Sequence, residues 1–528
     1  MPKHQFAGVL GRGVLASPLT PAARVALLTA EVRQAWGNPF ARRGTLGMAL
    51  VAAGSLTPAF LPKDAPLIVS LKLQWLSAGA GRFTATLLLV AGMALLVDAW
   101  LRLRPRTGSA PLHRLTWLLW SLPVLLAPPL FSRDAYSYAA QGQIMIQGMN
   151  PYEVGPVYVP GPFRDQVDPL WLFTPAPYGP LALQLQHFVV AITGDNAYVA
   201  AVAMRIPALI AVGLMAWAVP RLAVRLGVSR DRAIWLGVLN PLVMMHLVGG
   251  AHGDALMIAF VAVALLLASR GQLVLASMSI AVAASFKQTA VLALIAVIGM
   301  AMQADHTPGR SKLASLVRAS FLYGLISAAI FALITGVTGL GWGWIANLSV
   351  PVSLRSLLAP STLFGSIVEE LMRLSGLPAS LVAKPLPIAQ GIGLVVGVAV
   401  IGWILWRVAP KTPVLAAGLA LLTLCATGPV VHPWYLLWGG VVLAATKLGR
   451  RSMEAMIWVT LFLVTYGVVD ATLANGTWTL GVTVAVWMFV RMMLQRRGTD
   501  PNDPTDLLDL NRDLRVSSRQ RSASSALG

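Results

Sequence analysis

Apolar runs of helix length recur along almost the whole chain, and that recurrence limits the fold more than any other feature. A helix crosses a bilayer with about 20 apolar residues, whereas a barrel strand reads as an alternating segment of about 10. Candidate spans fall at roughly 44–61, 83–101, 115–131, 197–219, 232–248, 254–269, 272–286, 289–303, 318–338, 386–408, 413–430, 435–448, 454–470 and 477–494. Only 11% of the 528 residues are charged, less than half the usual share in a soluble domain. The expected fold is therefore an all-α polytopic membrane protein, a bundle of about 14 transmembrane helices. Segments 272–286, 289–303 and 435–448 fall short of a full span.

A formal charge of +20 raises the question of nucleic acid. The distribution of the charges answers it. Of the 40 Lys and Arg residues, 30 fall in segments 1–43, 102–114, 220–232, 304–318, 407–411, 447–451 and 491–528 and at Arg270, all on one side of an even number of spans. That is the positive-inside pattern, so both termini are expected in the cytoplasm of a multi-pass protein of the cytoplasmic (inner) membrane. The basic excess is topology, and the partner it implies is membrane lipid. Residues 1–43 read as a basic cytoplasmic segment without a cleavable signal, 44–494 as the membrane domain, and 495–528 as a disordered cytoplasmic tail. Loops 132–196 and 339–385 then face outward, as do the tips at 249–253, 287–288, 431–434 and 471–476. Cys425 is the sole cysteine, so no intrachain disulfide can form.

The first large outer loop opens with FSRDAYSYAAQGQIMIQGMNPY, residues 131–152. Ser132 or Asp134 can cap a helix start, Gly148 can end it, and Asn150-Pro151 turns the chain. The expectation is a short amphipathic helix lying on the membrane, with a carboxylate at its N-terminal end. Asp134 reads either as a simple cap or as a general base on a sugar hydroxyl. Arg133 can meet a phosphate or lipid headgroups. Tyr136, Tyr138 and Tyr152 can stack on sugars or belong to the interfacial aromatic belt. Beyond them, 151–180 is dense in Pro, Tyr and Trp, a stiff irregular surface in which Asp168 and Trp171 are candidate acceptor contacts.

A second stretch, LNPLVMMHLVGGAHGDAL at 239–256, sets His252 and Asp254 at the outer end of a span and His246 within it. Gly249-Gly250 allows a close backbone approach. His252 and Asp254 have the types of a metal pair but no third ligand near in sequence, and no metal site is expected. Lys287 and Gln288 sit between two short apolar segments, where the lysine can hold a lipid phosphate or snorkel to headgroups. Arg355 is a second phosphate candidate, because a guanidinium grips phosphate with two bonds. His432 and Trp434 close the outer end of another span and can face a sugar. There is no GxxxxGK[ST] loop and no GxGxxG in a βαβ context, which argues against a nucleotide donor bound inside the protein.

Taken together, SRDAYSYAAQGQIMIQGMNPY (132–152), TPAPYGPL (174–181), LGVLNPLVMMHLVGGAHGDALM (236–257), FKQT (286–289) and HPWY (432–435) give a chain that resembles the actinobacterial polyprenol-phosphate-mannose-dependent α-1,6-mannopyranosyltransferases. These are membrane glycosyltransferases of the GT-C class that act in lipomannan and lipoarabinomannan assembly. The likeness covers about 44–494. It departs at Gly253, where the family pattern usually has Asn. The resemblance implies a GT-C-like bundle with a catalytic first outer loop, a polyprenyl-phosphate mannose donor, a lipid-anchored mannan acceptor, inversion, and no metal or other cofactor. It further implies that Asp134 is the base, that Arg133, Lys287, Arg355 and His252 hold the donor phosphate, and that Tyr136, Tyr138, Asn150, Tyr152, Asp168, Tyr178, Asp254, Gln288, His432 and Trp434 bind substrate. Rival readings are a related lipid-phosphate-sugar transferase using arabinofuranose or a protein acceptor, and a lipid-linked sugar flippase, which would show paired broken helices or internal repeats with charges near mid-membrane.

Overall fold

In a computed structural model of the protein, residues 21–57, 66–77, 79–105, 112–473 and 476–496 are described. Within them the secondary structure is helical throughout. Parts of both expected cytoplasmic ends, 1–20 and 497–528, lie outside the described residues. The remainder of the N-terminal segment holds the helix Pro21–Gly37, and the last helix, Gly476–Arg496, takes in the first two residues of the expected tail.

Five helices among the described residues are long and apolar enough to cross a membrane: Gly79–Arg102, Ala197–Arg225, Lys312–Thr338, Ala379–Val408 and Arg450–Thr472. A bent pair, Arg230–Val238 with Val243–Gly249, makes a sixth if taken as one span. Seven apolar helices are shorter, from Pro180–Thr193 to Trp478–Met493. Lys312–Thr338 buries only Ala319, Ser327 and Thr335, and Phe321 and Val337 stand 71% and 79% exposed. An apolar surface so large and open belongs against lipid, which identifies a multi-pass membrane protein. By contrast, Asp254–Ala268 is buried nearly all round and forms the centre of the bundle, against Arg205–Arg225 and Leu273–Phe286.

The sequence pattern predicts one continuous span over 232–248, and the structure breaks it. The two π-helical halves meet at a 60° bend around Asn240-Pro241. Proline removes a backbone donor and disfavours helix at the residue before it. Asn240 supplies the missing partners. Its Oδ1 accepts from the Leu242 N–H (2.9 Å), and its Nδ2 donates to the Leu236 carbonyl (3.3 Å) and Thr460 Oγ1 (3.1 Å). The span predicted over 115–131 is likewise interrupted: Thr116–Ser121 passes into a short 3-10 turn, Leu122–Val124.

Arg205 fastens these two interrupted segments together. It is 1% exposed, and its guanidinium donates to five carbonyls, those of Leu125, Ala127, Pro128, Val248 and Gly249, at 2.7–3.2 Å. All five acceptors belong to backbone released from regular helix, where an unpaired carbonyl in a membrane protein is costly. The Leu130 N–H also donates to the Gly249 carbonyl (3.0 Å). Phe131–Asp134 and His246–Asp254 are thereby held side by side.

The expected surface helix is real but is not on the surface. Asp134–Ile146 buries Asp134 through Gly142 and Ile144, packed against Pro180–Thr193 and Ala197–Ala203. Ala135, Ala139, Ala140 and Gly142 make it slim enough to be covered on several sides. Its end is the predicted one: Gly148 adopts φ +74° and the Met149 N–H returns to the Ile144 carbonyl.

Candidate active site

Asp134 opens its helix at the wall of a cavity of about 290 Å³. Its own N–H donates to Ser132 Oγ (3.0 Å), and Arg133 stands at the cap position without a side-chain cap bond, so the Asp134 carboxylate does not cap the helix. The carboxylate Oδ2 lies 3.6 Å from His252 Nε2. His252 is fully buried, and its Nδ1 sits 2.7 Å from the His246 carbonyl oxygen. A carbonyl can only accept, so Nδ1 carries the proton and the other ring nitrogen is aimed at Asp134. Gly250 makes this possible: a Cβ there would stand 2.6 Å from the His252 ring. Phe131 and Ala251, which lead into Asp134 and His252, both adopt positive φ (+58° and +55°). Such conformations are strained for residues with a side chain and gather at functional sites.

Trp434 is the flat wall of the site. Its ring is 3.8 Å from that of His252 and 4.5 Å from that of His432, to which it is nearly parallel at 7°. His246 packs on the same tryptophan at 5.3 Å, and neither of its ring nitrogens has a hydrogen-bond partner although it is buried. Burial lowers the His432 pKa to about 4, with Lys287 and His252 pushing the same way and Asp134 opposing them, so His432 is neutral at pH 7. Ser356 links the loops that carry Arg355 and His432: its Oγ donates to the Val431 carbonyl (2.6 Å) and accepts from the Val431 N–H (3.2 Å).

The cavity brings together Arg133, Asp134, Asp168, Arg355, His432 and Trp434 from widely separated segments. Asp168 reaches it while capping the turn that holds Trp171, through Oδ1 and the Leu170 N–H (2.9 Å). Arg355 makes a two-bond ion pair with Glu369 (2.9 and 3.1 Å) and remains more than half exposed. Lys287 does not line this cavity. Its ammonium bonds Asp254 at 2.8 Å, and Tyr435 and Trp438 lie 4.6 Å away over it. Asp254 is closed by that lysine and by Trp438 Nε1 (2.6 Å), so Lys287 and Asp254 satisfy each other. Gln288 follows in a 3-10 turn with a buried, unpartnered Nε2.

Four other residues expected at the substrate do not line this cavity. Tyr136 and Tyr138 lie inside its core, Tyr138 edge-on to Tyr178 at 5.4 Å. The Tyr152 hydroxyl donates to the Tyr178 carbonyl (3.0 Å), and Asn150 builds the turn through the Tyr152 N–H and Glu153. Gly253, the departure from the family pattern, has nothing within 4 Å of where a side chain would start. Tyr466 and Asp470, from Arg450–Leu473, line the cavity and were not anticipated. The signal was available: Asp470 is an acid at the outer end of an apolar span. Among the described residues no three His, Cys, Asp or Glu side chains gather as metal ligands.

Residues 41–304 match the family described as alpha-(1->6)-mannopyranosyltransferase, N-terminal domain, and residues 361–496 match the MptB C-terminal domain. The chain is 32% identical to alpha-(1->6)-mannopyranosyltransferase A of Mycobacterium tuberculosis, over 89% of this chain and 92% of that protein. The chain belongs to the alpha-(1->6)-mannopyranosyltransferase family, and it is a glycosyltransferase. A probable alpha-(1->6)-mannopyranosyltransferase of Mycolicibacterium smegmatis is 35% identical, with 80% of this chain and 82% of that one covered. Alpha-(1->6)-mannopyranosyltransferase B of Corynebacterium glutamicum is 30% identical over 76% and 72%. Within this mannopyranosyltransferase framework Asp134, His246 and His252 fall in the N-terminal match and His432 and Trp434 in the C-terminal one, so the cavity is built by both. Arg355 lies between the two matched segments.

Proposed function

We propose that this glycosyltransferase transfers mannose, with inversion, from polyprenyl-phosphate mannose to the 6-hydroxyl of a lipid-anchored mannan, extending the α-1,6 backbone of lipomannan and lipoarabinomannan. The observation that carries the reading is the approach of the Asp134 carboxylate to His252 at 3.6 Å, beside a cavity lined by two arginines. In the proposed step the acceptor hydroxyl attacks the anomeric carbon while its proton passes to Asp134. The bond from that carbon to the phosphate oxygen breaks, and its electron pair leaves with the lipid phosphate. His252 Nε2, which carries no hydrogen in this tautomer, is placed to take up the proton that Asp134 accepts. Arg133 and Arg355 neutralise charge growing on the leaving phosphate, which favours the transition state over the bound donor. Lys287 supports the site by holding Asp254 rather than by meeting the phosphate. His246, His432 and Asp168 offer polar contacts to sugar hydroxyls, and Trp434, buried against His252 and His432, fixes those rings at the cavity wall.

The same reading sets the site on the outer face of the cytoplasmic membrane. The segments that meet at the cavity, 131–134, 168–171, 355–358 and 431–434, are those left outside by the Lys and Arg pattern. The five long helices, the bent pair, the shorter apolar helices outside the loop 132–196, Pro39–Gly54 and the interrupted segment 116–124 are the elements proposed to make the bundle of about 14.

The test is reconstitution with synthetic polyprenyl-phosphate mannose and a short α-1,6-mannoside, with the product linkage read by NMR. The proposal expects an α-1,6 product, formed equally well with EDTA present. A β-linked product, or transfer from polyprenyl-phosphate arabinofuranose but not from the mannose donor, would overturn it.

A further inference from the structure

A second cavity among the described residues lies away from Asp134. A space of about 440 Å³ lies among Arg114, Arg221, Arg225, Arg230 and Arg270, beside Ala216, Pro220 and Val224. It is at the other end of the bundle. The helix Arg205–Arg225 begins at the Asp134 site and delivers Arg221 and Arg225 a full span away, about 30 Å at 1.5 Å per residue. Asp254–Ala268 likewise starts at the site and ends just before Arg270.

Two of the five arginines have acidic partners: Arg114 pairs with Glu31, and Arg230 lies 3.8 Å from Asp231. The other three have none among the described residues. Arg225 donates twice to the Ser269 carbonyl (2.7 and 3.2 Å), and Arg221 donates to the Trp217 carbonyl (2.7 Å) with its guanidinium 5.1 Å over that ring. Arg221 and Arg225 are one helical turn apart and so share a face. A cytoplasmic basic excess needs only cations near the membrane surface; it does not need them gathered around one cavity. Between the arginines the wall is apolar, and Val224 and Trp217 beside it are 60% and 41% exposed, which opens the cavity toward the lipid-facing side of the bundle.

We propose that this cavity binds the headgroup of an anionic phospholipid bearing two phosphates, with the guanidiniums on the phosphates and the acyl chains along Val224 and Trp217. Guanidiniums grip phosphate oxygens with paired bonds, and basic pockets between helices on the cytoplasmic side suit such headgroups. The site is separate from the transferase cavity and does not depend on how that cavity works.

The experiment measures thermal unfolding of the full chain in phosphatidylcholine nanodiscs, titrated with cardiolipin, with phosphatidylglycerol or with free pyrophosphate. Cardiolipin is expected to raise the midpoint most, phosphatidylglycerol less, and pyrophosphate not at all. Arg221→Gln with Arg270→Gln should weaken the apparent cardiolipin affinity about thirtyfold, since each cation near an anionic surface contributes on the order of 1 kcal/mol. Arg221→Lys with Arg270→Lys should keep most of it, which separates lost charge from lost fold. An equal cardiolipin response in the Gln variant would overturn the proposal, and so would a pyrophosphate response matching that of the lipid. A response that appears only after residues 497–528 are removed would overturn it too, by assigning the cavity to the aspartates of that segment.

Discussion

At the scale of single residues, the structure separates groups that meet the cavity from groups that only hold it. Lys287 and Asp254 show why a sequence cannot make that distinction. Both are ionisable groups at the outer ends of apolar segments, and each reads as a ligand contact. They satisfy one another at 2.8 Å, and pairing between residues 33 apart leaves no mark in the spacing. Removing one member of a buried ion pair strands the other. Lys287→Met or Asp254→Asn is therefore expected to cost about 3–5 kcal/mol, and the double variant Lys287→Met with Asp254→Leu less than the sum of its single changes. Thermal unfolding of the four proteins in one detergent checks this, and strict additivity would contradict it. His432 gives a pH signature. Its pKa in the folded protein is about 4, below the ordinary histidine value of about 6.5. The unfolded chain takes up that proton first, so this contribution is intact above about pH 6.5 and is lost as the pH falls toward 4. The unfolding midpoint should drop over that window, and His432→Asn should show a smaller drop. The helix that starts at Asp134 and stops before Gly148, by contrast, was legible in the sequence, because helix starts and stops are local signals.

At the scale of elements, helix-length hydrophobicity was legible and helix interruption was not. The pattern over 232–248 gives an apolar span, but the bend at Asn240-Pro241 depends on Thr460, a residue 220 positions away. Arg205 reads from sequence as one of ten basic residues on the outer side. Its five carbonyl bonds instead clamp Leu125–Pro128 to Val248–Gly249. Arg205→Met removes all five of those bonds, and the expected loss is about 3 kcal/mol or more. Arg205→Lys should recover only part of it, since an ammonium has three donors where the guanidinium has five. Denaturation in detergent with both variants side by side is the check. An Arg205→Met protein as stable as the parent would show that the clamp is not needed. The helix Asp134–Ile146 carries the other lesson of this scale. Its polar residues resemble a solvated face, yet Ser137 and Gln141 are buried, because the loop folds over it with a core of its own.

At the scale of the whole molecule, the two ends of the bundle differ in kind. One gathers Asp134, three histidines and Trp434; the other gathers arginines. Charge bias along the sequence foretold two such ends, because topology is written in loop composition. It could not foretell that one apolar end would close into a cavity built from both family segments. Cys425 is buried and is the sole cysteine, so the sidedness can be measured in the Cys425→Ala background. A cysteine at Arg164 should react with a membrane-impermeant maleimide in intact cells, and one at Arg270 only after permeabilisation; the reverse pattern would invert the topology. The central claim, that Asp134 accepts the acceptor's proton, is tested most directly by Asp134→Asn, with donor binding and single-turnover transfer measured on the same preparation. The account predicts donor affinity close to that of the parent and a transfer rate lower by about 10²–10⁴-fold, the range of general-base contributions. Transfer at the parental rate by a folded, donor-binding Asp134→Asn protein would contradict it.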